Sequence, residues 1–592
     1  MRRLIQRLTP LYRSLDPEPW LDAAARGWRG PLIAACVAIF AGSLSLFTLP
    51  PLDRDESRFA QATAQMLETG DLVMIEFQDE PRFKKPIGIH WMQAAAVSLV
   101  SSPEAREIWA DRLPSLLGAA LAAAAAAWGA SAFFGPRVGL IAGILLGACG
   151  LLSTEASIAK TDAVLCGAIT LAMAALGRLY AASRGGPPAG HATRFAFWAG
   201  MALSVLIKGP IGPMVALVAG LSLWAMDRKA DWLGRNLRWG WGLLLMAVVI
   251  LPWAVAITVA TDGGFWSTAV GGDLAPKLAG GQEGHGAPPG YHTLLVAFLI
   301  FPGSLLLPAA AVLAWTRRSE PGVRFALAWL IPTWILFELM PTKLVHYTLP
   351  TYGALAWLMA AALTGPLALR LTRATRIAGA VCSLLGASLF AVIAVAGLRL
   401  YGDPSDGFAA VLTVVLYLAA GLAGAVLLLR GQAMRGAAAA VVLGVLAHGV
   451  LAGGLLPRLE PIWMSRETAR LMEEAMLDPK GGLTSGPVEV AGYAEPSLVF
   501  ALGTRTGLED AEAAATALAQ GRPAIVEHSE EKAFLAALTT RNIAFRRVGA
   551  VSGVNYSNGD ETTLTVYGPV RPPAGPTPAV PEPATAAAAP AP

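Results

Sequence analysis

Residues 31–50, PLIAACVAIFAGSLSLFTLP, and the fifty that follow, PLDRDESRFAQATAQMLETGDLVMIEFQDEPRFKKPIGIHWMQAAAVSLV (51–100), decide the fold. The first stretch holds no acidic or basic residue and has about the 20-residue length that a helix needs to cross a bilayer. The second opens a polar excursion over 51–111, far longer than the usual connection, and loops of that length are commonly functional. Outward from this pair, further apolar runs fall near 112–133, 138–153, 162–180, 194–207, 210–226, 239–260, 293–316, 322–340, 346–365, 376–398, 407–429 and 435–456. The reading is an all-α polytopic membrane protein with about thirteen transmembrane helices over 31–456.

Composition agrees. Of 592 residues, 55% are hydrophobic and 15% charged, against roughly 25% charged in a soluble domain, and the mean hydropathy is +0.53. The net charge of +4 is too small for non-specific nucleic-acid binding, so the bilayer is the expected partner and nucleic acid is not. Cys36, Cys149, Cys166 and Cys382 sit in apolar runs without CxxC spacing, which argues against a disulfide framework and a zinc site. Walker A, GxGxxG after a strand, HExxH and GxSxG are absent, which removes the ATPase, dinucleotide, zincin and common serine-hydrolase classes.

Sidedness follows from the basic residues. The segment 1–30 carries Arg2, Arg3, Arg7, Arg13, Arg26 and Arg29, and no A-x-A-like cleavage site follows the first run, so that run reads as an anchor. Alternate connections then hold Arg137; Arg178, Arg184 and Arg194; Arg228, Lys229, Arg235 and Arg238; Arg317, Arg318 and Arg324; Arg370, Arg373 and Arg376; and Arg430 and Arg435. This positive-inside pattern predicts a cytoplasmic N-terminus and an outer, periplasmic C-terminus in a bacterial inner membrane.

The outer face carries the polar chemistry. Two amphipathic stretches, from Ser57 (a candidate cap) to Glu68 and from Ile87 to Val100, are expected as interfacial helices, with Gly70 stopping the first. They bring Asp53, Asp55, Glu56, Arg58, Arg82, Lys84 and Lys85 to the membrane surface. Lys160 with Asp162, Lys208, and Lys343 with His346 and Tyr347 stand at outer ends of later spans. Any one of these lysines is equally well read as snorkelling, and an interfacial charge is ordinarily just solvated. Their recurrence on one face points to a shared cavity for an anionic lipid head group. A multispan transporter or flippase is the competing class, but it predicts ionisable residues near the midplane and paired interrupted helices, and neither is evident.

Asp55-Glu56-Ser57-Arg58-Phe59, MLETGDLV at 66–73, Lys84-Lys85-Pro86, Lys160-Thr161-Asp162, Lys208-Gly209-Pro210, and Lys343-Leu344 with Tyr347-Thr348-Leu349-Pro350 carry a resemblance. In this order and on one face they resemble the aminoarabinose transferase and protein O-mannosyltransferase superfamily of polyprenyl-phosphate-sugar-dependent glycosyltransferases. The resemblance implies the GT-C fold and transfer of a sugar from an undecaprenyl-phosphate carrier, by inverting displacement, to lipid A, another envelope glycolipid or a protein. It places Asp55, Glu56 and Asp162 as catalytic residues. Arg58, Lys84, Lys85, Lys160, Lys208, His285, Lys343, His346 and Tyr347 become carrier-phosphate or substrate contacts, with Lys85 at the carrier phosphate. No cofactor and no metal ligand is assigned, and the metal question turns on one departure: relatives have an acid before the loop lysine and Pro-Pro after it, where this chain has Lys84-Lys85-Pro86-Ile87.

Beyond the spans, 457–570 alternates short apolar runs (PVEVAGY, PAIVEH, LTVYGPV) with helical stretches (EDAEAAATALAQ, EEKAFLAALTTR), which predicts an extracytoplasmic α/β domain with a turn over 553–559. The Pro- and Ala-rich stretch 571–592 is expected to be disordered.

Overall fold

The computed structural model describes residues 18–229, 231–276, 280, 286–481 and 486–570. The expectations for residues 1–17, for His285 and for 571–592 lie outside them. By contacts the chain divides into two units, Met1–Arg466 and Glu467–Pro592.

The first unit is helical. After a short α1 (Glu18–Ala25) come α2 (Arg29–Ser43), α3 (Asp55–Thr69), α4 (Gly88–Val100), α5 (Ile108–Phe134), α6 (Pro136–Gly147), α7 (Gly150–Ala156), α8 (Asp162–Ala182) and α9 (His191–Lys208). There follow α10 (Ile211–Asp227), α11 (Trp239–Ala260), α12 (Tyr291–Leu299), α13 (Leu307–Thr316), α14 (Pro321–Leu339), α15 (Tyr352–Leu363), α16 (Arg373–Tyr401), α17 (Gly407–Leu429) and α18 (Ala433–Gly449). Among the described residues, seven helices are long and apolar enough to cross a membrane. The number is nine if two bent pairs each count as one span, α6 with α7 at 62° and α12 with Gly303–Thr316 at 113°. Every apolar run read from the sequence coincides with a helix or a bent pair, but α2, α10 and Leu349–Leu363 are shorter than a full span.

The long first loop folds as two helices. Helix α3 begins at Asp55, two positions before the expected cap. Ser57 lies inside the first turn, where its hydroxyl donates to Leu52 O (2.5 Å) instead of accepting from the helix N-terminus. At the other end Gly70 adopts φ +74 and donates to Met66 O, closing the helix in the left-handed conformation that glycine adopts without penalty. A small hairpin, Glu76–Phe77 (β1) against Glu80–Pro81 (β2), is clipped to α3 by Gln65, whose amide exchanges hydrogen bonds with the backbone of Gln78.

Helices α5 and α8 cross at backbone contact. A Cβ added at Gly118 would lie 2.6 Å from Val164 Cα, and one added at Gly167 would strike Gly118 O. Small residues permit this approach, the usual device where lipid supplies no hydrophobic drive between helices. Gly118→Leu should therefore lower stability by about 1–3 kcal/mol through overpacking, read as a drop in the thermal midpoint of detergent-purified protein. Unchanged stability would show that the crossing can open.

In the second unit, five strands lie in the order β4-β3-β5-β7-β6: β3 (Glu489–Ala491), β4 (Gly507–Glu509), β5 (Ala524–Glu527), β6 (Phe545–Asn555) and β7 (Asp560–Pro569). β3 pairs in parallel with β4 and β5, and β7 runs antiparallel to β5 and β6. Helices α19 (Pro496–Leu502), α20 (Ala511–Ala519) and α21 (His528–Thr540) complete an α/β unit whose core includes Ala514, Val526, Phe534 and Tyr567. Strand β6 takes in Gly553, Val554 and Asn555, so the turn is shorter than the sequence suggested.

Candidate functional site

The end of the bundle that bears the first loop gathers the ionisable residues. Asp162 opens α8, Lys208 closes α9, Lys160 lies in the turn between α7 and α8, and His346 and Tyr347 lie between α14 and α15. Their side chains meet. Lys208 Nζ donates to Asp162 Oδ1 (2.5 Å) and lies 5.6 Å from the centre of the Tyr347 ring. Lys160 Nζ is 3.0 Å from Glu155 Oε2 and 3.8 Å from Asp162 Oδ2. The His346 ring bridges the two acids, Nδ1 at 3.5 Å from Glu155 and Nε2 at 3.5 Å from Asp162.

Two carboxylates thus face two ammonium groups around one imidazole. Burial works against the charge on Lys160, but Glu155 and Asp162, with Asp55 further off, outweigh it and hold its pKa above the ordinary lysine value. Glu155, Asp162 and His346 offer ligand atoms within 4.8 Å of one another, a spacing that a divalent ion could use. Each carboxylate is already matched by a lysine, so an ion would have to displace Lys160.

Above this cluster the first loop contributes two further pairs. Asp55, with 63% of its side chain exposed, faces Arg82 at 3.7 Å, and the Arg82 guanidinium lies 5.3 Å from the Phe59 ring centre. Lys85 Nζ donates to Asp273 Oδ2 (2.8 Å) in the connection after α11. Lys84 is exposed, and Arg58 lies one turn into α3, half-buried.

Two residues expected at the site are committed elsewhere. Glu56 is buried and turned away from Asp55. It accepts from Arg112 through both oxygens (2.9 and 3.0 Å), from Ala159 N (2.6 Å) and from Leu52 N (2.8 Å). Arg112, wholly buried, spends its remaining donors on the carbonyls of Leu46, Leu49 and Pro50. This knot fixes the backbone beside Asp55 to the backbone beside Lys160, a positioning role. Lys343 donates to the carbonyls of Ala287 (2.9 Å) and Met340. Nearby, Glu338 accepts from Gly290 N, Thr293 N and Thr293 Oγ1, which pins the start of α12 to the end of α14.

Glu155, Arg112 and Asp273 were not singled out in the sequence. An ionisable residue at the edge of an apolar run was the available signal for the first two. Asp273 gave none, because its partner is 188 residues away.

Over 402 residues, 64% of this chain and 70% of the relative, the sequence is 30% identical to the undecaprenyl phosphate-alpha-4-amino-4-deoxy-L-arabinose arabinosyl transferase of Pseudomonas paraeruginosa. The chain belongs to this arabinosyl transferase family. The Yersinia pestis member is 27% identical over 433 residues, 71% of this chain and 76% of its own. The family model for dolichyl-phosphate-mannose-protein mannosyltransferase matches residues 36–266. The structure of ArnT from Cupriavidus metallidurans bound to undecaprenyl phosphate superposes with a TM-score of 0.70 at 20% identity, over 90% of this chain and 97% of that one. The apo form gives 0.69 over the same shares. The fold is therefore that of ArnT, and as an arabinosyl transferase family member the chain is a polytopic membrane glycosyltransferase.

Proposed function

We propose that the chain transfers a sugar from an undecaprenyl-phosphate carrier to an envelope acceptor, lipid A or a related glycolipid, at the periplasmic face of the inner membrane. The carrying observation is the convergence of Asp55, Lys85, Lys160, Asp162 and Lys208 at one end of the bundle. That the relatives are undecaprenyl phosphate-dependent arabinosyl transferases supports the donor. The alternation of basic connections supports a cytoplasmic N-terminus, a periplasmic C-terminus and thirteen spans, with the two bent pairs and α2, α9, α10 and α15 counted among them.

In this reading the sugar is displaced at its anomeric carbon with inversion, and polyprenyl phosphate leaves. Lys85 offsets the charge that develops on the leaving phosphate. Lys208 and Lys160 hold Asp162 oriented toward the sugar, and His346 spaces the two acids. The lysines take the electrostatic part that a divalent ion would otherwise play, so activity should survive chelation. In the resting site Asp273 holds the place that the phosphate takes. Asp273→Ala should then tighten undecaprenyl phosphate binding by roughly tenfold or more, the value of one charged hydrogen bond, as measured by thermophoresis. Weaker binding would make Asp273 a support for Lys85 instead.

The acceptor sets the demand on Asp55. A hydroxyl needs a general base, so Asp55→Asn would cost roughly 10²-fold or more in turnover. A lipid phosphate is already anionic, and the substitution would then mainly raise KM for the donor. The second pattern is expected, together with a lipid A mass shift that disappears on gene deletion. A hydroxyl-linked sugar on secreted protein, with lipid A unchanged, would move the chain to the protein O-glycosylating branch.

A further inference from the structure

At the far end of the bundle from the reaction site lies a cavity of about 690 Å³ between α2, α5, α8 and α9. Its walls are small or apolar, with Leu121, Ala124, Leu140 and Leu171 among them, and Arg178 is the only ionisable residue among the described residues that line it. At its edge Trp28 is 72% exposed. Arg178 lies about 24 Å from Asp162 along α8, at the 1.5 Å rise of a helix.

Arg178 is unlike its neighbours. Arg137 faces Asp22, and Arg184 and Arg324 both face Asp227, whereas among the described residues no carboxylate lies within 4.0 Å of Arg178. Its Nη1 donates to Trp128 O (2.9 Å) and Ser131 Oγ (3.4 Å), and the guanidinium lies 4.8 Å from the Trp128 ring centre. These contacts hold the plane of the group in place, while among the described residues its buried Nε meets no hydrogen-bond partner. An oriented guanidinium that no described carboxylate neutralises, in an apolar chamber, complements a phosphate attached to a hydrocarbon chain. Basic pockets between membrane helices are known to take anionic lipid head groups.

We infer that this cavity binds an anionic phospholipid, with its phosphate on Arg178 and an acyl chain along the α5 and α8 walls. The assignment to the cytoplasmic leaflet rests on the orientation proposed above. The site itself does not, and it is separate from the carrier site.

Native mass spectrometry of the full chain in mild detergent, titrated with phosphatidylglycerol or with phosphatidylcholine of the same acyl chains, tests it. Wild type should retain phosphatidylglycerol preferentially. Arg178→Gln should weaken that binding roughly tenfold or more, as expected for loss of a charged hydrogen-bond pair, and Ala124→Phe, which fills the chamber, should reduce binding of both lipids. Thermal unfolding confirms that each variant is folded, and donor turnover in the same preparations reads the transferase separately. Equal phosphatidylglycerol binding by wild type and folded Arg178→Gln would overturn the inference, as would equal retention of the two lipids by wild type.

Discussion

Lys85→Ala is expected to abolish transfer while leaving the protein folded. Lys85 is half-buried and its ammonium already engages a carboxylate, Asp273, at 2.8 Å, so the position is built to hold an anion. In the transition state the leaving phosphate gains charge, and removing one preorganised donor from such a centre typically costs about 10²–10³-fold in turnover. Lys85→Arg should recover only part of the loss, because a planar fork replaces a compact point charge. Lys84, which is exposed, is expected to tolerate alanine far better, so the two lysines should separate in one assay of donor consumption. Wild-type turnover in folded Lys85→Ala would remove the residue from the reaction.

The second large effect falls on stability. Arg112→Met leaves the Glu56 carboxylate buried with two backbone amides but no cation, and breaking a buried pair on one side costs about 3–5 kcal/mol. It also strands the carbonyls of Leu46, Leu49 and Pro50, which lose the donors that hold the end of the first span. The expected result is a marked fall in thermal midpoint and yield. The double variant Arg112→Met with Glu56→Leu should regain much of it, since apolar replacement of a whole buried pair is often close to neutral. Turnover per folded molecule should stay reduced in the double variant, because the clamp between Leu52 and Ala159 goes with the carboxylate. Full turnover there would reduce the knot to a purely structural role.

Hydropathy made the helices legible, since lipid demands that each span satisfy its own backbone. Charge sidedness made the clustering of ionisable residues legible as well, because Lys160 with Asp162, Lys208, and His346 come from three separate connections that topology must bring to one end. Which carboxylate pairs with which cation was not legible. Asp55 and Glu56 are adjacent in sequence, yet α3 turns one outward and the other into the bundle, a difference of about 100° set by the helix itself. Lys343 looked like its fellow lysines, but the carbonyls of Ala287 and Met340 come from loop geometry that no periodicity encodes. In the second unit β6 escaped notice because its burial is mixed along the strand, with Arg546 and Arg547 exposed, which blurs the alternation that marks a strand.

The glycine-to-glycine crossing of α5 and α8 divides the labour of the site. Helices that meet backbone to backbone have no side-chain layer left to slide over, so the pair serves as an anvil carrying Arg112 on one member and Asp162 on the other. Asp273 belongs to a different part, the connection after α11, which this block does not contain. A change of sugar or acceptor is then most readily met by rewriting that connection while the anvil stays as it is. Grafting it between relatives becomes a route to exchanging specificity without rebuilding the centre that does the chemistry.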